Sequence, residues 1–256
     1  MPTRLVIEYD GSEFSGWAKQ PGRRTVQAEL ERALSVIRRQ PTQLTVAGRT
    51  DAGVHAWAQV ASHPGEAAAA RSINALLPND ISVLLSEYVE DPFDARADAQ
   101  ARIYCYRLVC ARQRLAIDRK TAVWWPHSFE RSLLDDCAEV LIGLHDFRAF
   151  TLSKQSYRSY KRTIADARWI DSGHRTLEFW IESDSFTRRM VRTLVGMQLD
   201  VASGRRTLDD LVRLLAGATR DQAANSAPAH GLFLAGVRYQ DQSIAQPVTP
   251  FASSSV

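Results

Sequence analysis

Hydrophobic periodicity in this 256-residue chain switches from two to 3.6 and back, and it makes that switch twice. Thr3–Tyr9 alternates and is rich in β-formers, which predicts a strand. Thr25 stands where a helix cap is needed, before Val26, Leu30, Ala33, Leu34 and Ile37 on one apolar face. Gln43–Ala47 and Trp57–Ser62 read as short strands around a polar turn. Glu66–Leu77 reads as an alanine-rich helix stopped by Pro78, and Ile81–Val89 as a third clear strand. The second half repeats the order. Arg102–Cys110 alternates strongly, and Ser128 precedes a helix carrying Leu133, Leu134, Cys137, Val140 and Leu141. Thr163–Ile170 and Thr176–Ser183 predict a hairpin turning at Asp171-Ser172-Gly173. A helix follows from about Thr187 to Ala202. Another starts after Thr207, with the Thr207…Asp210 capping box and Gly217 as its stop, and Leu232–Tyr239 is the last strand.

Each half therefore approximates β-α-β-β-α-β, the split βαβ or ferredoxin-like pattern. The expected class is α+β: two such halves, antiparallel sheets side by side, helices packed on the sheet. The expected division is residues 1–95, residues 96–240, and a disordered polar tail at 241–256, with the joint near 91–100.

Several classes of protein are disfavoured. Hydrophobic residues make up 45% and charged residues 24%, an ordinary globular balance. Three cysteines, Cys105, Cys110 and Cys137, contain no CxxC pair, so neither a disulfide framework nor a zinc ribbon is expected. No 18 apolar residues run without a charge, and the first residues read as a strand rather than an apolar leader. No membrane span, no signal peptide and a cytoplasmic location are therefore expected. GxGxxG, HExxH and GxSxG are absent. Gly11 and Gly16 have P-loop spacing, but Trp17-Ala18 follows where Lys-Ser/Thr is required. The six histidines show no metal-ligand spacing.

The net charge is only +3, yet just four of the 32 basic residues are lysines and 28 are arginines. Arginine grips phosphate bidentately and stacks on bases. Between Arg148 and Arg162 there are five basic residues, no acid, and two interleaved tyrosines, Tyr157 and Tyr160. Between Arg96 and Lys120 there are seven basic residues against two acids, with Tyr104 and Tyr106 inside. Basic residues mixed with aromatics suit a nucleic-acid surface, and equally a solvated strand face with its loop.

The residues richest in chemical content are Ala47-Gly48-Arg49-Thr50-Asp51-Ala52-Gly53-Val54-His55-Ala56, in the turn between two short strands. Two glycines permit a sharp bend or a close approach. Between them stand one cation and one carboxylate, where a loop at the mouth of a sheet meets substrate. The plainer reading is a turn in which Asp51 bonds only its own backbone.

GRTDAGVHA, preceded by EYDGSEFSGWAKQ and TVQAELERAL, resembles the tRNA pseudouridine synthase A family. The match continues through Phe93-Asp94-Ala95-Arg96, Ala101–Tyr106, His145-Asp146-Phe147, Met190–Gly196 and Ala227–Leu232, in the family's order. The resemblance implies that Asp51 is the catalytic aspartate and that Arg192 pairs with its carboxylate. It implies that Arg49 helps displace the target base and that Tyr104 stacks at the target uridine. Arg188, Arg189, Arg158, Lys161 and Arg162 are the expected further substrate contacts. Arg188 and Arg192, at i and i+4, would share a helix face. The chain departs from the family at Phe14, at Ala18-Lys19, and at Arg188-Arg189, where the family often carries tyrosine, two polar or basic residues, and histidines.

The implied reaction breaks the N1–C1′ bond of uridine, turns the base and joins C5 to C1′. Nothing is oxidised or consumed, so no cofactor and no metal is expected. An ionised carboxylate suits the step, whether it attacks C1′ or C6 or removes the C2′ proton. The resemblance further implies uridines 38, 39 and 40 in the anticodon arm of tRNA, and a homodimer. Two other classes compete. One is a non-catalytic RNA-binding module, which has no need of Asp51. The other is a nuclease using Asp51 and His55.

Overall fold

The structure is a computed structural model and describes residues 2–89, 92–114, 116–151, 157–240 and the backbone of 242–245. In chain order the elements are β1 (Pro2–Tyr9), α1 (Val26–Arg38), β2 (Thr45–Val46), β3 (His55–Pro64), α2 (Ala70–Asn74), β4 (Ile81–Tyr88), β5 (Ala101–Val109), β6 (Val123–Trp124), α3 (Arg131–Glu139), β7 (Gly143–Asp146), β8 (Lys161–Asp171), β9 (Thr176–Ser183), α4 (Met190–Ala202), α5 (Leu208–Leu215), β10 (Leu232–Tyr239) and β11 (Gln242–Ala245). The class is α+β, as the periodicity predicts. The chain divides into two compact units, residues 1–102 with 233–256, and residues 103–232.

In the first unit the strand order is β4-β1-β3-β10, with β2 on β3 and β11 on β10. β1 runs antiparallel to both β3 and β4, so its alternating side chains cover one core. Leu5 and Ile7 are fully buried, as are Leu30 and Leu34 of α1. β2 is only two residues long and pairs with Ala61 and Ser62 of β3. Further along β3, His55 and Ala56 pair instead with Phe233 and Leu234 of β10, in parallel. Arg102 helps end β2: its Nε and Nη2 donate to the Ala47 carbonyl at 3.0 and 2.7 Å.

In the second unit the order is β5-β9-β8-β7, with β6 beside β5. The expected hairpin is present as β8 and β9, from Ile164↔Ser183 to Asp171↔Leu177. Its turn holds Gly173, His174 and Arg175 at positive φ. Phe147, Phe150, Phe179, Leu134, Leu194 and Leu211 are fully buried in this unit.

Besides the two-residue strand β6, for which no strand was expected, the structure differs from the sequence expectations in four elements or limits. First, β10 groups with the first unit, because its partner is β3 and because Val237 and Tyr239 pack with Ala47, Val60 and Ala95. The division thus falls after Arg102, with the last strand returned to the first unit, whereas periodicity suggested 95 and 240 as limits. Second, the Glu66–Leu77 helix shrinks to Ala70–Asn74. Only Ile73 of it is buried, and Asn74 accepts from Val83 N and donates to Val83 O. Alanine propensity without an apolar face does not offset the cost of nucleation. Third, β7 forms the sheet edge beside β8, where no strand was expected. Fourth, residues 242–245 pair with β10 as β11 in what reads as a disordered tail; residues 246–256 lie outside the described residues. No helix among the described residues is long and apolar enough to cross a membrane.

Candidate active site

In the first unit, GRTDAGVHA spans the turn into β3, and the chain holds it residue by residue. Arg102 grips the Ala47 carbonyl. Gln59 Nε2 donates to Gly48 O at 2.7 Å. The Thr50 hydroxyl lies 2.7 Å from the Tyr9 hydroxyl, and Trp17 N donates to Thr50 O at 3.0 Å. Val54 N donates to Asp51 O at 3.2 Å. Arg49 is exposed and Asp51 half-buried, so both side chains stand at the surface of a loop whose backbone is anchored.

The glycines of EYDGSEFSGWAKQ explain how this is possible. A Cβ on Gly11 would overlap the Val54 carbonyl. A Cβ on Gly16, whose φ is +94°, would come within 2.9 Å of Thr50 O. Their spacing serves the close packing of two loops rather than a phosphate. Tyr9 and Gln59 are the site-supporting residues that sequence reasoning missed. Both sit on alternating strands where an apolar residue is the ordinary choice, and that polar interruption was the available signal.

His55 closes the motif at 1% exposure. Its Nδ1 accepts from Gly11 N at 3.0 Å, and its ring stacks on Phe233 at 4.6 Å. Its Nδ1 also lies 3.1 Å from Asp10 Oδ1, and the ring is sealed from solvent, so a nuclease that uses it as an accessible base loses support. Trp17 is fully buried, and Trp57 stacks on Phe233 at 4.4 Å.

In the second unit, Tyr104 and Tyr106 lie on β5 and are both buried. Tyr106 donates to Pro228 O at 3.0 Å, and burial pushes its phenol well above the ordinary range. Tyr104 meets Phe186 edge-on at 5.1 Å. Arg192 on α4 donates from Nε to Ala227 O at 2.7 Å, and Ala227 N donates back to Arg192 O at 2.9 Å. Gly196 makes this clasp possible, since a Cβ there would overlap the Asn225 carbonyl. Gly231 likewise lies against the Tyr106 ring. The motifs around residues 106, 192, 196 and 227–231 are thus one packed assembly. Within it, burial and then the Arg192 charge hold the His230 imidazole below its usual pKa.

Arg188 lies outside α4, which begins at Met190, so the shared helix face expected of Arg188 and Arg192 is not formed. Arg188 is exposed and its backbone N–H donates to Tyr157 OH at 3.2 Å. Arg189 is the N-cap of α4, in the left-handed region at φ 62°. Arg158 and Lys161 are exposed. Arg162 turns back on its own strand, donating from Nη1 to Ser159 O at 3.0 Å, with its guanidinium 6.0 Å from the Tyr157 ring centre. Lys154 lies outside the described residues. Among the described residues, no three His, Cys, Asp or Glu side chains form a metal-ligand group.

Comparison with known proteins adds to this geometry. A family model described as tRNA pseudouridine synthase matches residues 5–83 and 137–240. The chain is 36% identical to tRNA pseudouridine synthase A of Bacillus licheniformis over 94% of its own length and 100% of that protein's. For the protein of the same name from Bacillus subtilis the figures are 35%, 94% and 100%. For that of Corynebacterium glutamicum they are 39%, 93% and 89%.

Proposed function

The chain belongs to the tRNA pseudouridine synthase A family and is an isomerase that turns uridine into pseudouridine in tRNA; within that activity we propose that Asp51 is the catalytic group and uridines 38, 39 and 40 of the anticodon arm are the targets. The observation that carries the catalytic assignment is the placement of Asp51. The peptide group before it is held by Trp17 N on Thr50 O and the one after it by Val54 N on Asp51 O within the turn, while its side chain keeps access to solvent. A rigid backbone beneath a reachable carboxylate is what a reacting group needs.

The reaction is atom-balanced without a co-reactant. The N1–C1′ bond breaks, the uracil turns, C5 bonds to C1′, the proton on C5 leaves and N1 gains one. A carboxylate at position 51 compensates the electron deficiency that develops as N1 departs. The uridine must first leave its stack, at a cost of a few kcal/mol. Stacking on an aromatic side chain returns about 1–3 kcal/mol per base. Tyr104 is proposed for that stacking, Arg49 for occupying the vacated place, and Arg192 for neutralising the catalytic carboxylate. Arg188, Arg189, Arg158, Lys161 and Arg162 are proposed to contact the tRNA, Arg162 after turning outward. The proposal includes a homodimer acting in the cytoplasm.

Asp51→Asn tests the assignment. Unmodified tRNA is incubated with each protein and pseudouridines are mapped by carbodiimide-blocked primer extension. The parent chain is expected to mark positions 38–40. The variant is expected to mark none while binding tRNA within about twofold of the parent, since a neutral isostere removes the reacting charge and little else. Turnover by the variant refutes the role of Asp51, and stops elsewhere on the tRNA refute the target.

A further inference from the structure

Three polar side chains lie beneath the Asp51 loop where an apolar core would suffice. Tyr9 is 3% exposed, Gln59 0% and Thr50 7%. Gln59 Nε2 donates to the Tyr9 hydroxyl oxygen at 3.3 Å and to Gly48 O at 2.7 Å. Its Oε1 accepts from Val60 N at 3.2 Å. The Tyr9 oxygen thus receives a hydrogen from Gln59, and its own O–H is left to donate to Thr50 Oγ1, 2.7 Å away. Burial pushes the Tyr9 phenol up to about 12, so it stays protonated and keeps that donor at every working pH.

Burying polar groups is costly unless every one is satisfied, and a satisfied network fixes geometry more sharply than apolar packing does. This one is satisfied at one end by the strands and at the other by the residue preceding Asp51. We propose that Tyr9, backed by Gln59, is a positioning residue for the isomerisation: through the Thr50 hydroxyl it sets the direction in which the Asp51 carboxylate points. The inference rests on Asp51 being the reacting group. The route is short. Thr50 is held at its side chain by Tyr9 and at its carbonyl by Trp17 N. The Thr50–Asp51 peptide plane is then fixed, Val54 N holds the Asp51 carbonyl at 3.2 Å, and the two together orient the Cα–Cβ bond of Asp51. Displacement of a reacting group by about 1 Å costs about a hundredfold in rate.

The test uses the full chain with Tyr9→Phe, Thr50→Val, Thr50→Ser, the Tyr9→Phe/Thr50→Val double variant and Asp51→Asn. Single-turnover rate, tRNA affinity and melting temperature are measured for each. Tyr9→Phe and Thr50→Val are each expected to lower the rate about 10–100-fold, with tRNA affinity within about twofold of the parent. Thr50→Ser, which keeps the hydroxyl, is expected to recover most of the rate. The double variant is expected to be no slower than the slower single one, because both remove the same bond. Near-parental rates in both single variants overturn the inference. So do multiplied losses in the double variant, a Thr50→Ser as slow as Thr50→Val, or losses that follow the melting temperature alone. Asp51→Asn separates the two levels. If it is active, the catalytic assignment itself falls. If it is inactive while Tyr9→Phe and Thr50→Val turn over normally, only the positioning role falls.

Discussion

Gly16 illustrates what single residues contribute. Its φ of +94° and its closeness to Thr50 O leave no room for a side chain, so a loop more than thirty residues upstream of the turn shapes the turn's backbone. In the sequence Gly16 looks like half of a phosphate loop, because spacing alone does not say which backbone a glycine admits. At Asp51 and Arg49 residue type alone left a plain turn open, and it was the resemblance of the surrounding motif to a known family that singled them out. His63 is another residue whose role comes from its surroundings. It is buried, with Nδ1 2.9 Å from Pro64 O. Burial, and in smaller part the Arg38 charge, hold its pKa below the ordinary value of 6.5. The folded chain then binds this proton more weakly than the unfolded chain does. The stability it contributes is present above about pH 6.5 and is lost as pH falls through the lowered folded value. His230 shifts in the same direction. The melting temperature of the parent is expected to fall between about pH 7 and pH 5 more steeply than that of His63→Gln. Equal slopes in a thermal-melt series would remove His63 from this account.

Among the elements, periodicity identified those with a strong apolar face and failed where contacts outside the segment decide. β1, α1, β4, β8 and β9 lie where the alternation places them. α2 is shorter than its alanine run because helix propensity without burial is a weak force. β7 is a four-residue strand that exists because β8 presents an open edge to it. α5 is the counterexample, a short helix legible at its first residue. Thr207 Oγ1 accepts from Asp210 N at 3.2 Å, and Thr207 N donates to Asp210 Oδ2 at 3.0 Å, the reciprocal box that the sequence pattern predicts. Thr207→Ala is expected to destabilise the second unit by about 1 kcal/mol, read from urea unfolding midpoints. Thr207→Asn, another good cap, is expected to lose less than half of that. No shift in midpoint for Thr207→Ala would mean that α5 is held by its packing alone.

For the whole molecule the relevant quantities are charge and chain connectivity. An arginine-rich chain with a net charge of +3 attracts polyanions through local tracts rather than through its total. Arg158 and Lys161 are exposed in such a tract. The logarithm of tRNA affinity is therefore expected to fall linearly with the logarithm of salt, by about 0.7–0.9 per phosphate contact. Arg158→Ala with Lys161→Ala is expected to make that slope shallower by one to two contacts, in filter-binding or anisotropy titrations. A slope unchanged by the double substitution would place the RNA elsewhere. Connectivity was the least legible property. The last strand alternates as any strand does, and nothing in its residues says that it returns to pair with His55 and Ala56 of β3.

The division follows from the range of the forces involved. Residue types and near-neighbour spacing determined the strands and helices with strong faces, the capping box and the α+β class, because propensity, amphipathicity and capping act over a few residues. Tertiary structure alone decided that β10 completes the first sheet, that α2 stays short, that Gly11 and Gly16 admit a second loop, and that Tyr9 and Gln59 stand beneath Thr50. Each of these depends on the pairing of backbone donors or the filling of space by residues tens to hundreds of positions apart, which a local pattern does not encode.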